Sequence, residues 1–107
     1  MRFYRHLYVS EGLEKKKDKL IHKMKKGKYP WTAYLLVLLE EGENQMEIFS
    51  TALLKQKMMS DDIFVVGLAD SESDAVQMVE SLVREIYDNT GVVDIRTYIK
   101  QKELGEE

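Results

Sequence analysis

The chain contains no cysteine. That absence excludes disulfides, thiolate catalysis and cysteine-ligated zinc together, and it favours a reducing compartment. Proline is nearly absent too: Pro30 is the only one. Neither an internal repeat, a flexible linker nor a low-complexity tract interrupts the chain. The longest apolar run, Ala33 to Leu39, is far short of the ~20 residues that span a bilayer. No apolar signal core follows the opening residues Met1 to His6. The expected location is therefore the cytoplasm, without membrane insertion. A glycine-rich phosphate loop, a nucleophile elbow and histidine–acid metal spacing are all missing. With them goes any specific reaction class, and no cofactor or metal is expected.

What remains is a chain of 107 residues with 44% hydrophobic and 33% charged content. Those values fit one globular domain, with 1–107 as the unit and 100–107 as a polar tail. A chain of this size buries roughly two-thirds of its unfolded surface, enough for a single core without staples. The formal net charge of -3 conceals a division. Residues 1–31 carry ten Lys and Arg against three acids, a balance of +7; residues 32–107 carry six against sixteen, a balance of -10. The two halves can complement each other within one molecule, between two copies, or with an outside partner.

The run Tyr34-Leu35-Leu36-Val37-Leu38-Leu39 has neither charge nor alternation, and it reads as a central strand covered on both sides. Phe3 to Ser10 alternates, with Phe3, Leu7 and Val9 on one side and Tyr4, His6 and Tyr8 on the other. A helix is predicted from about Glu11 to Lys26, with Ser10 as N-cap and a thin apolar stripe of Leu13, Leu20, Ile21 and Met24. Gly27 ends it. The polar turn Glu40 to Gln45 predicts a hairpin joining the central strand to a strand over Met46 to Leu54. Ile63 to Ala69 is a further apolar strand in which Gly67 marks a bulge or a close backbone approach. Ser71 with Asp74 makes a capping pattern for the most regular helix, whose stripe runs from Ala75 through Val79, Leu82 and Ile86 to Tyr87. Gly91 closes it. Val92 to Ile99 alternates and predicts a last strand.

The predicted fold class is thus α+β, in the order β-α-β-β-β-α-β. Its simplest form is a five-stranded mixed sheet, strands in sequential order, with both helices on one face. That arrangement leaves Tyr4, His6, Tyr8, Tyr34, Leu36 and Tyr98 on an uncovered face, and an exposed apolar patch of this kind marks an interface or ligand groove. The expected function is a non-enzymatic interaction or ligand-binding module that forms a homodimer through this face, with a protein or small molecule as partner.

Two alternatives come from other classes. Lys15, Lys16, Lys17, Lys19, Lys23, Lys25, Lys26 and Lys28, with Tyr29 and Trp31 nearby, suit a phosphate backbone, and Lys16, Lys19, Lys23 and Lys26 are the residues to reverse. The segment lacks arginine, the usual reader of base edges, and ends in lysine as helix dipoles prefer. A small enzyme with a pocket between subunits would use His6 as base. His22 reads as solvated. Asp61-Asp62 reads as a turn and the Asp70, Glu72, Asp74 group as a helix cap. Met58 and Met59 suit an adaptable contact or a sheet edge.

Overall fold

A computed structural model describes residues 1–29, 32–52 and 63–105. Among these, the chain forms β1 (Arg2–Val9), a 3-10 helix (Glu11–Lys16), α1 (Lys17–Lys25), β2 (Tyr34–Leu38), β3 (Met46–Ser50), β4 (Phe64–Ala69), α2 (Glu72–Thr90) and α3 (Ile95–Glu103). The fold is α+β with a mixed sheet. The sheet has four strands in the order β1-β4-β2-β3. β1 runs parallel to β4, and β2 is antiparallel to both β4 and β3.

The two apolar runs became the two central strands. β4 is buried along its whole length, and β2 along all but Tyr34. Each needs cover on both faces, and the helices divide to supply it. Leu13, Leu20 and Met24 from the 3-10 helix and α1 pack on Leu35, Val37, Val65 and Leu68. On the other face, Leu82 and Ile86 of α2 with Ile95, Tyr98 and Ile99 of α3 pack on Leu38, Phe64 and Val66. The result is three layers rather than the two expected. Each Leu or Val fully withdrawn from water here contributes ~1.5–3 kcal/mol relative to an exposed one.

The expected fifth strand is a helix. Ile95 and Ile99 satisfy alternation, but Ile95, Tyr98 and Ile99 together satisfy helical spacing, and all three are buried. Asp94 decides between the two. Its carboxylate accepts from the Thr97 backbone N–H at 3.2 Å and from the Thr97 hydroxyl at 2.8 Å, which caps α3 at its start. The polar residues 100–103, expected as tail, continue this helix. Sequential strand order fails too. β4 lies between β1 and β2, with both edges paired and a helical layer over each face of its apolar run.

Several local expectations hold. β2 and β3 form the antiparallel hairpin, although β3 ends at Ser50. Gly27 and Gly91 end their helices at φ 77 and 79°. Ser71 Oγ accepts from the Asp74 N–H at 3.1 Å. Ser10 does not cap the first helix with its side chain. Tyr87, expected as a core residue, is 58% exposed.

Gly67 is both a bulge and a close approach. The β2–β4 register shifts there, with Leu36 opposite Gly67 and Val37 opposite Val65. Val66 is the extra residue, so Val66 and Gly67 face the same side in succession. A Cβ at Gly67 would lie 2.7 Å from Met78 Sδ and 3.3 Å from the Tyr8 carbonyl oxygen. The missing side chain lets α2 settle onto the sheet.

Candidate functional site

β1 and β4 are parallel neighbours, and the chain leaves their carboxyl ends toward opposite faces. After β1 it enters the 3-10 helix and α1 on one face; after β4 it enters α2 on the other. A crevice opens wherever adjacent connections diverge in this way, and α/β sheets bind their ligands there. The two strand ends are stitched together at its floor. The Ser10 N–H donates to the Leu68 carbonyl at 2.9 Å, and the Asp70 N–H donates to Ser10 Oγ at 2.9 Å. Gly12 lies so close to Asp70 that a Cβ there would meet Asp70 Oδ2 at 2.6 Å.

The crevice has a volume of about 670 Å³. Tyr8, Val9, Ser10, Glu11 and Gly12 form its strand side; Asp74, Gln77, Met78 and Ser81 form its helix side. Its lining is rich in polar groups that can accept: two carboxylates, three hydroxyls and a side-chain amide. A second cavity of about 250 Å³ lies against Arg2, Phe64, Lys100 and Leu104. Its charged groups are engaged within the chain, with Lys100 Nζ 2.9 Å from Glu40 Oε2 and the Arg2 guanidinium 5.2 Å from the Phe64 ring. The Lys100 hydrogen bond holds the Glu40 carboxyl below its ordinary range.

One wall of the crevice continues into a tyrosine cluster. The Tyr8 hydroxyl donates to Glu85 Oε2 at 2.9 Å, and the Tyr98 hydroxyl donates to the same oxygen at 2.7 Å. Tyr4 stacks edge-on against Phe64 and lies beside Tyr8 at 6.2 Å between ring centroids. Its own hydroxyl is buried without a partner among the described residues. Burial raises the Tyr4 phenol to about 12, assisted by Tyr98 and Glu85 nearby. Burial also raises Tyr8 and Tyr98, and donation to Glu85 raises both further, since a phenolate beside a carboxylate is repelled.

The face expected to be open is therefore covered. Tyr4, Leu36 and Tyr98 are 2%, 0% and 8% exposed, and Tyr34 packs partly buried with Leu36 under α2. Only Tyr8 reaches the crevice, while His6 is exposed with its ring 5.5 Å from Tyr4. Tyr4, Leu36 and Tyr98 are thus spent on the core of one molecule, while His6 stays at the surface and Tyr8 and Tyr34 are partly buried. Asp94 and Arg96, from the segment expected as the last strand, are engaged within the chain. Asp94 caps α3, with its carboxyl held low by Thr97, and Arg96 donates to the carbonyls of Leu39, Gly42 and Asn44.

Lys16, Lys19 and Lys26 are exposed on the α1 side, and Lys23 is partly buried. His22 is exposed on that side too. Trp31, Met58, Met59, Asp61 and Asp62 lie outside the described residues. Glu72 and Asp74 occupy the first turn of α2, as expected for a cap. Among the described residues no three acidic or histidine side chains converge on a metal position, and no helix is long and apolar enough to cross a membrane.

Sequence reasoning missed Glu85 and the crevice. Glu85 sits three residues beyond Leu82 and next to Ile86, on the edge of the buried stripe. A carboxylate at that position was the available signal. The crevice had none, because it depends on which strands are neighbours. Comparison with family models, with curated proteins and with solved structures finds no match. Fold and site therefore define the class directly: a three-layer α+β domain with a polar crevice at the carboxyl ends of two parallel strands.

Proposed function

We propose that this chain is a small cytoplasmic ligand-binding domain and that the crevice between the end of β1 and α2 is its site. One observation carries the reading: a cavity of about 670 Å³ lies where the chain leaves two parallel strands toward opposite faces. Glu11, Asp74, Ser10, Ser81 and Gln77 supply mainly acceptors, so the matching ligand is a small polar molecule rich in donors, an amine or a polyol. Binding rather than catalysis is supported by the lining: among the described residues no histidine stands beside Ser10 or Ser81 to serve as base.

The test is amide chemical-shift mapping on labelled protein with a panel of small amines, polyols and carboxylic acids. Saturable shifts at Ser10, Gly12, Gln77 and Ser81 with amines or polyols are expected. Ser81 is exposed, and Ser81→Trp fills the crevice from the surface, so it should abolish those shifts while leaving the fold intact. Shifts confined to other surfaces, or unchanged in Ser81→Trp, would overturn the assignment.

A further inference from the structure

The division of charge in the sequence becomes a division in space. α1 and the 3-10 helix lie on one face of the sheet and α2 on the other. α2 carries five acids against one arginine. The lysines of α1 and the acids of α2 therefore lie on opposite faces and do not neutralise each other directly. A helix diameter of ~10 Å and the sheet stand between their outer surfaces, more than the ~8 Å over which salt screens charge at physiological strength. Acidic α2 also no longer stands in the way of an anion approaching α1.

On the α1 side Lys15, Lys16, Lys19, Lys25, Lys26 and Lys28 are exposed. Among the described residues, Lys15, Lys19, Lys26 and Lys28 form no ion pair with a carboxylate of this chain. Glu11, Glu14 and Asp18 share this side but cluster toward its start, so the lysines beyond Asp18 form an uninterrupted basic end.

We infer that this face binds the phosphate backbone of nucleic acid, without reading sequence. Three observations select that occupant. First, the charge is complementary, and the segment holds lysine only, which neutralises phosphate as a point charge but lacks the planar fork that reads base edges. Second, the apolar side chains Leu13, Leu20 and Met24 are turned into the core and Ile21 packs against it, so among the described residues no exposed apolar stripe is left to insert into a lipid surface. Third, the 3-10 helix and α1 hold no arginine, and the described aromatics on this side, Phe3 and Tyr29, are partly packed into the core, so among the described residues the anchors that dominate protein interfaces are not presented. A hydrated, repeating polyanion needs neither insertion nor anchor. This surface lies on the face opposite α2 and is independent of the crevice reading.

The experiment is fluorescence anisotropy with labelled mixed-sequence oligonucleotides, single-stranded and duplex, between about 50 and about 200 mM salt. Binding should fall steeply with salt and be the same for unrelated sequences. Lys19→Glu with Lys26→Glu should flatten the logarithmic salt slope by about two. Arg84→Glu with Lys100→Glu changes the net charge equally on the α2–α3 side and should leave the slope unchanged. Absent binding at low salt, equal loss in the two double variants, or equal binding of polyglutamate or phosphatidylserine vesicles would each overturn the proposal.

Discussion

Tyr8 at the end of β1 and Tyr98 on α3 place their hydroxyls on one and the same carboxylate oxygen, Glu85 Oε2, at 2.9 and 2.7 Å. Through that atom the edge strand, the long helix and the C-terminal helix are joined beside the crevice. Replacing Glu85 by alanine leaves two part-buried phenols without their acceptor. Hydrogen bonds to a charged group contribute about 1.5–3 kcal/mol each, so Glu85→Ala should lose at least 2 kcal/mol or so in urea unfolding. Glu85→Gln, which keeps an acceptor oxygen, should lose less. Equal losses in the two variants would show that shape rather than acceptance matters at this position.

The same cluster makes stability depend on alkaline pH. Tyr4, Tyr8 and Tyr98 all have folded-state values above the ordinary 10.0, and that of Tyr4 is about 12. A group raised on folding contributes stability that is complete below its unfolded value and lost as pH rises through the folded one. Thermal stability should therefore hold to about pH 10 and fall toward about pH 12. Tyr4→Phe should make the fall shallower, and absorbance of the phenolate should show ionisation coinciding with unfolding.

Gly67 separates a packing role from a backbone role. Any side chain there meets Met78, Leu36 and the Tyr8 carbonyl. Gly67→Val should destabilise by about 1–3 kcal/mol through overpacking. If Met78 is the obstacle, Met78→Ala should relieve part of that loss, with a coupling of about 0.5 kcal/mol or more in a double-mutant cycle. Strict additivity would place the cost in the strands instead.

Arg96 ties α3 to the β2–β3 turn. Its guanidinium donates to the Leu39, Gly42 and Asn44 carbonyls at 2.6, 2.7 and 3.1 Å. Lysine keeps the charge but lacks the fork that reaches three acceptors. Arg96→Lys should cost about 1–3 kcal/mol and speed hydrogen exchange at the Leu39 amide, which bonds to Gln45 across the turn. Unchanged exchange would assign the turn's rigidity to the hairpin alone.

What the sequence by itself determined was local. Chain periodicity sufficed for β1, the hairpin, β4 and α2, because each buries its own stripe. The absence of charge in Leu35–Leu38 and Val65–Leu68 already required cover on two faces. Ser71, Gly27, Gly67 and Gly91 specified caps, stops and the bulge through properties of single residues. Val92–Ile99 was ambiguous, since Ile95 and Ile99 suit a strand while Ile95, Tyr98 and Ile99 suit a helix equally well; Asp94 and the neighbouring sheet resolved it.

Only the tertiary structure decided which strands are neighbours. Inserting β4 between β1 and β2 sends α1 and α2 to opposite faces. From that single arrangement follow the crevice, the burial of Tyr4, Leu36 and Tyr98, and the separation of basic from acidic surface. Strand order depends on the free energy of the whole packed sheet, in which one apolar run competes with another for the centre, and no window of sequence contains that competition.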